Sequence, residues 1–260
     1  LNPMRRLLDL IVLRRAQLID IEPMALAETS VVDARHSTEQ VQELLATFKP
    51  IHFPLEFPEI FSSLNPGFQC VLGNPPWEEA KTEERSFWMR HSPGLWTSGA
   101  AEIKRRISAL QENRPDLLAA YEQEGEENSQ LSKLLLSGPF PGFETGDPDL
   151  YKAFSWRFWD LLAENGTFGV VLPRSVLASA GSAQWRIHIL NHGDFIEVTQ
   201  LLNNRRWIFD DVHPQYTICL IAIRKTGVPD DVVVSKGPFT SLADFRSRVD
   251  QPGTELSASG

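Results

Sequence analysis

The chain has 260 residues, a net charge of −9, and 42% hydrophobic and 23% charged residues. That length and balance call for a packed core and exclude a chain that is disordered throughout. The acidic excess argues against a free-standing basic grip on nucleic acid, but it is compatible with a catalytic portion whose DNA-gripping portion lies elsewhere.

Residues 1–21 read as an amphipathic helix with Leu7, Leu8, Ile11 and Leu18 on one face. Its apolar stretch "LLDLIVL" is too short to span a bilayer and is flanked by arginines, so no membrane is expected. A second helix is expected over Ser37–Phe48, capped by Ser37 or Thr38. "IHFPLEFPEIF" breaks regularity at Pro54 and Pro58. "GFQCVLG" follows as a short apolar run, read as a buried strand. Residues 80–148 turn polar and read as a helical insertion without a core of its own, with helices over 98–112 and 114–136. The following stretch, "DLYKAFSWRFWDLLAENG", reads as a helix with Tyr151, Phe154, Phe158, Leu161 and Leu162 on one face, stopped by Gly166. "TFGVVLP" and "FIEVTQLL" read as strands, separated by a loop and a helix that ends at Gly193. "WIFDDVHPQYTICLIAIRK" is a turn into a last apolar strand. Strands alternating with helices imply an α/β fold with a largely parallel sheet covered by helices on both faces, the last pair antiparallel at one edge. The expected parts are 1–79 leading to the motif discussed next, the insertion 80–148, the second half of the sheet over 149–226, and a linker over 227–260.

The motif is "GNPPW" at the end of the first strand. Pro75 and Pro76 lack N–H groups and fix φ, and Pro75 keeps Asn74 out of helical geometry. Asn74 therefore stands at a stiff strand end beside Trp77. In open α/β sheets ligands bind beyond the carboxyl ends of strands. A side-chain amide oxygen and a fixed carbonyl are two acceptors that do not titrate, and an indole face offers stacking worth roughly 1–3 kcal/mol per base. Such a corner suits a planar ring carrying an NH₂ group: adenine, cytosine or a carboxamide. Two acceptors on the two amine hydrogens favour a more tetrahedral nitrogen, and preset dipoles stabilise its developing charge.

"GFQCVLGNPPW" resembles the catalytic motif of N6-adenine DNA methyltransferases. "LYKAFSWRFWDLLAENGTFGVVLP" is similar to the two motifs that follow it in that family, and "LLNNRRWIFDDVHPQYTICLIAIRK" to the last sheet segment of the group related to type IIG restriction–methylation enzymes and phage-defence methylases. "FPLEFPEIF" also recurs there. The resemblance implies a partial class I S-adenosylmethionine-dependent, Rossmann-like fold. It implies methyl transfer to a flipped adenine in double-stranded DNA, in a restriction–modification or phage-defence setting with possible partner subunits. By that resemblance Asn74 and the Pro75 carbonyl hold the amine, Pro76 stiffens the corner and Trp77 stacks on the base. Phe154 and Phe53 would contact S-adenosylmethionine, and Phe209 would form a second wall for the base. Unpairing a duplex base costs a few kcal/mol. The family's glycine-rich cofactor loop has no counterpart before residue 52, and no target-recognition domain follows. With Leu1 first and "TELSASG" last, the chain is expected to be a fragment that is inactive alone.

Two other readings stay open: the same chemistry on RNA adenine or protein glutamine, and a non-catalytic binding remnant of the fold. His188 and His192 have a metal-like spacing but lack a third ligand, so no metal is expected. Asp147 and Asp149 read as a helix cap, and Arg205 and Arg206 as surface residues that could meet phosphate. Cys70 and Cys219 read as buried core thiols, which fits the cytoplasm.

Overall fold

The computed structural model describes residues 2–92, 94–95, 99–143, 146–210 and 216–257. Asn2 opens α1 (Pro3–Arg15): its side chain accepts from the Met4 N–H at 2.9 Å, Pro3 fits the first turn, and Arg14 and Arg15 face the negative end of the helix dipole. The helix ends at Arg15 and not at residue 21, because Gln17 turns the chain with a φ of 58°. An unforeseen helix, α2 (Thr29–His36), follows, and then α3 (Glu39–Phe48). Leu10, Leu13, Val32 and Val41 form a small core among these three helices. Inside it the Asp9 carboxylate meets the Nε2 atoms of His36 and His52 at 2.9 and 2.8 Å, and all three residues are buried.

Two short turns, α4 (Phe53–Glu56) and α5 (Pro58–Phe61), lead into β1 (Phe68–Gly73). The chain leaves the sheet after Gly73, and an isolated bridge pairs Glu79 with Asp149. The Ala80 N–H donates to Pro148 and the Leu150 N–H to Glu78, so the two ends meet. Between them lie α6 (Glu84–His91), α7 (Ala100–Asn113) and α8 (Pro115–Ser137). Contrary to expectation this stretch has a core of its own, with Phe87, Trp88, Leu95, Ile103, Ile107 and Leu117 buried together. The far end of α8 reaches the main core through Leu131 and Leu135.

The second half contains α9 (Leu150–Leu161), β2 (Leu162–Pro173), α10 (Ser175–Ala178), α11 (Ala183–His192), β3 (Gly193–Leu202), β4 (Thr217–Lys225), β5 (Val232–Phe239), α12 (Leu242–Arg248) and β6 (Thr254–Ser257). Residues 227–260 are therefore not the expected linker; β5, α12 and β6 extend the sheet. The helix α9 stops at Leu161, ahead of Gly166. Asn165 takes the left-handed turn with a φ of 62°, and Gly166 lies within β2, where a Cβ would come 2.8 Å from the Phe68 carbonyl oxygen.

The sheet order is β1-β2-β4-β3-β5-β6. Only β1/β2 and β3/β5 are parallel, so the sheet is mixed and not largely parallel. The last strand of the expected pair, β4, is central: it returns antiparallel between β2 and β3. Alternation along the strands assigns the faces. Phe168, Val170, Leu172, Ile221 and Ile223 point toward α9 and α11 and are buried with Trp156, Trp159 and Ile189. Each such large apolar side chain contributes about 1.5–3 kcal/mol by leaving water. Among the described residues, α12 is the one helix packed on the opposite face, with Phe245 against Phe239 at the β5 end beside Trp207 and Phe209. Helices thus cover both faces at that end alone. Leu72 is 81% exposed, and Val171, Leu220 and Ala222 are only half-buried. The strand β1 is accordingly an open edge and not a buried strand, and Cys70 is exposed, against expectation; Cys219 is buried.

Candidate functional site

Gly73 ends β1 against α9. A Cβ there would come 2.8 Å from the Phe158 ring, so the strand can lie close to the helix only as glycine. Asn74 emerges exposed, and its amide makes no hydrogen bond with the described residues. Pro75 is buried and Pro76 exposed, which fixes the corner from the inside. Trp77 is half-buried: its Nε1–H donates to the Val171 carbonyl of β2 at 3.3 Å, and its ring meets Phe209 edge-on at 6.0 Å. Its indole edge is anchored, while part of the ring stays accessible.

The corner separates two clefts. One, of about 430 Å³, runs from Leu72 and Asn74 across the open sheet face to Thr199 and Phe245. The other, of about 510 Å³, lies between Trp77, Glu79, Asp149, Tyr151, Ser175 and Tyr216. Asn74 lines the first cleft and Trp77, three residues further along the same turn, lines the second. In the second cleft, Tyr151 Oη and Ser175 Oγ are 3.0 Å apart and join α9 to α10. Asp149 occupies the cap position of α9 without capping it; it pairs with the buried Lys152 at 2.8 Å. Burial raises the Asp149 carboxyl above its ordinary range, against the pull of Lys152. Lys152 also donates to the Asp147 carbonyl at 2.7 Å.

The remaining sequence candidates divide. Phe154 is exposed one turn before Phe158, with ring centroids 5.9 Å apart, on the helix that faces Gly73. The buried side of α9 is carried by Trp156 and Trp159 and not by Phe154. Phe209 lies beside Trp77. Phe53 does not join them: it packs on Phe57 and Phe68 at the start of β1, with the Arg157 guanidinium over its ring. About 20 Å of strand separates Phe68 from Asn74. His188 and His192 stack on each other at 4.5 Å, with His188 against Trp156 and Trp159.

A residue that sequence reasoning missed is Asn203, which is fully buried at the end of β3. Its Oδ1 accepts from the N–H groups of Ile208 and Phe209 at 3.1 and 3.2 Å, and its Nδ2 donates to the Phe209 carbonyl at 2.9 Å. The Trp207 indole donates to Leu202 at 2.6 Å. This turn fixes Phe209 and carries Arg205 and Arg206. An amide followed a few residues later by an aromatic is the weak local signal that was available. The rest of that turn, 211–215, lies outside the described residues.

The residues around Asn74 do not form a site for S-adenosylmethionine. The positive-φ glycine adjoining β1, Gly67, is at the strand's far end, with its Cβ space filled by Ala163. The space at Gly73 is taken by Phe158. On the open face, Glu197 is engaged by Lys236 at 2.8 Å and by Thr199 at 2.7 Å. Phe53 is remote. Among the described residues no helix is long and apolar enough to cross a membrane.

No protein-family model and no curated protein matches the chain. Solved structures do. A modification subunit of a putative type I restriction enzyme from Vibrio vulnificus is 13% identical over 74% of this chain and 34% of its own, with a TM-score of 0.42. DrdV in its complex with DNA is 16% identical over 73% and 17%, at 0.38. The ATP-dependent type ISP restriction–modification enzyme LlaBIII bound to DNA is 14% identical over 68% and 11%, at 0.35. The chain therefore spans about a third or less of the length of each of these three.

Proposed function

We propose that this chain is the base-holding portion of a DNA adenine N6-methyltransferase of a restriction–modification or phage-defence system. The observation that carries this reading is the exposed Asn74 amide, without an internal partner, at the carboxyl end of β1, on a corner braced by buried Pro75. Asn74 Oδ1 and the Pro75 carbonyl would accept the two hydrogens of an adenine N6 amine, and Trp77 would stack on the ring with Phe209 behind it. The two acceptors orient the amine lone pair and need no proton from the protein. Phe154, exposed beside the corner, would face whatever approaches the amine from the α9 side. S-adenosylmethionine is the methyl donor of this class. Its site would lie on residues other than those around Asn74.

The test is Asn74→Ala in the protein that methylates in the cell. Adenine methylation of its plasmid DNA is expected to disappear, and full methylation in that variant would refute the role. A second reading is a base-binding module without transfer, since the residues around Asn74 do not themselves hold the donor. Incubating the protein with DNA, RNA and polypeptide plus a labelled methyl donor separates the readings. Label in DNA adenine supports the first. Label in none of the three, with base binding retained, supports the second.

A further inference from the structure

We propose that Arg174, Arg205 and Arg206 form a ridge that takes backbone phosphates of the nucleic acid whose base enters the Trp77 corner. The inference rests on the base-holding reading of that corner. Arg174 directly follows β2, and its N–H donates to the Thr217 carbonyl at 3.0 Å. Asn203 directly follows β3, and its N–H donates to the Tyr216 carbonyl at 3.1 Å. Two consecutive residues at the start of β4 thus tie down both flanks. Trp77 is anchored to Val171, three residues before Arg174. Phe209, which meets Trp77, is held by the Asn203 amide. The three arginines and the aromatic pair therefore share one end of the sheet.

Two features of this ridge suit it to an anionic ligand. Arg205 and Arg206 both have left-handed backbones, with φ of 58° and 60°, which L-residues with long side chains rarely adopt. The Asn203 hydrogen bonds and the Trp207 indole impose that turn. A sparsely populated conformation persists only where the surroundings fix it, and such positions concentrate at ligand clamps. Second, all three side chains are exposed, and none pairs with a carboxylate among the described residues. In a chain of net charge −9, Arg5, Arg6, Arg90, Arg105, Arg106, Arg114, Arg224 and Arg248 pair with carboxylates. Arg14, Arg15, Arg85 and Arg246 do not among the described residues, but they are scattered, whereas Arg174, Arg205 and Arg206 follow the carboxyl ends of β2 and β3, the two strands that flank β4. Guanidinium groups without a carboxylate partner among the described residues suit bidentate contact with phosphate.

The experiment is a salt titration of the full 260-residue chain. Its ligand is a dye-labelled 20-base-pair duplex with 2-aminopurine at the centre, followed by anisotropy from 50 to 200 mM NaCl. Each phosphate contact contributes about 0.9 to the slope of log affinity against log salt. Replacing all three arginines with glutamine is expected to flatten the slope by about 2.7, and so to remove about 40-fold of the salt-dependent loss across that range. The effect should be equal on an unrelated sequence, and the triple lysine variant should keep the slope. An unchanged slope in the glutamine variant, or no wild-type binding at 50 mM, overturns the proposal. If circular dichroism shows the triple variant unfolded, the single substitutions decide, each expected to flatten the slope by about 0.9. Trp77→Ala is run beside them. It should abolish the 2-aminopurine response and leave the slope intact. A wild-type chain that shows the arginine-dependent slope and no 2-aminopurine response would sink the base-holding reading and leave the ridge standing.

Discussion

Replacing Asn203 with alanine should release the turn that holds Phe209 against Trp77. The side chain is fully buried and makes three hydrogen bonds to the backbone of Ile208 and Phe209. A net hydrogen bond is worth about 1 kcal/mol, and a buried donor or acceptor left unpaired costs about 1–3 kcal/mol. Three such losses come to about 3 kcal/mol for the closed turn. The turn sits at the rim and can open to water, so the loss should appear as local opening and not as global unfolding. Native-state hydrogen exchange on the peptide spanning 203–210 reads it directly. At 1.4 kcal/mol per tenfold, protection of the Ile208 and Phe209 amides should fall by about 100-fold, while amides of β2 and β4 change little. Asn203→Asp discriminates the two halves of the argument. Its oxygens can still accept from both N–H groups, but it cannot donate to the Phe209 carbonyl and places a charge in a buried position. It should therefore be no better than alanine. A protection loss below threefold in Asn203→Ala, or an aspartate variant that behaves as wild type, would refute this account of the turn.

Three further outcomes follow from the fold. Asp9→Ala strands the ring nitrogens of two buried histidines, so the α1–α3 bundle should lose about 2–4 kcal/mol, read as a urea midpoint shift. Asp9→Ala/His36→Phe should recover part of that loss, since the second change removes one stranded group. In the native chain one thiol, Cys70, should react with a disulfide reagent, and both should react in guanidinium. Burial pushes the Cys219 thiol up to about 12. Its proton is then held more tightly in the folded than in the unfolded state, so stability falls as pH rises from about 9 toward 12, by about 1.4 kcal/mol per unit. Cys219→Val should lack that increment, and equal alkaline slopes in the two proteins would count against it. Leu72→Lys should change stability by less than about 0.5 kcal/mol, as expected on an exposed face, whereas Leu172→Ala should cost about 2–5 kcal/mol. A large loss at Leu72 would mean that the β1 face is covered.

The local parts of this molecule were legible because their signals are local. The paired prolines after Gly73 forecast a corner at a strand end, and a corner is what stands there. The helical periods of α7 and α8 were readable to within a few residues, since a 3.6-residue pattern repeats many times over such lengths. The antiparallel pairing of β4 with β3 was readable from the short connection, but its central place was not. An apolar run such as "TICLIAIRK" carries no mark of whether it lies at an edge or in the centre. Its insertion between β2 and β3 is set by a turn whose organiser, Asn203, is a single polar residue among several.

Burial failed for a related reason. "GFQCVLG" and "TFGVVLP" look alike as sequence. Phe168 and Leu172 are fully buried while Leu72 is open, because they point to the face that α9 and α11 cover and Leu72 points to the other. Period-2 alternation says which residues share a face, and only the topology says which face is covered. Phe53, which the resemblance assigned to the cofactor, lies apart from Asn74 because β1 runs between them, and a strand carries its two ends apart by more than three ångströms per residue. Phe209, more than a hundred positions away, is the aromatic that reaches Trp77. Residues that meet at one end of a sheet are the ones that follow the carboxyl ends of neighbouring strands, whatever their separation in sequence. By that rule Asn74 after β1, Arg174 after β2 and Asn203 after β3 belong to one end, and the side chains to mutate together are those three positions and what they hold.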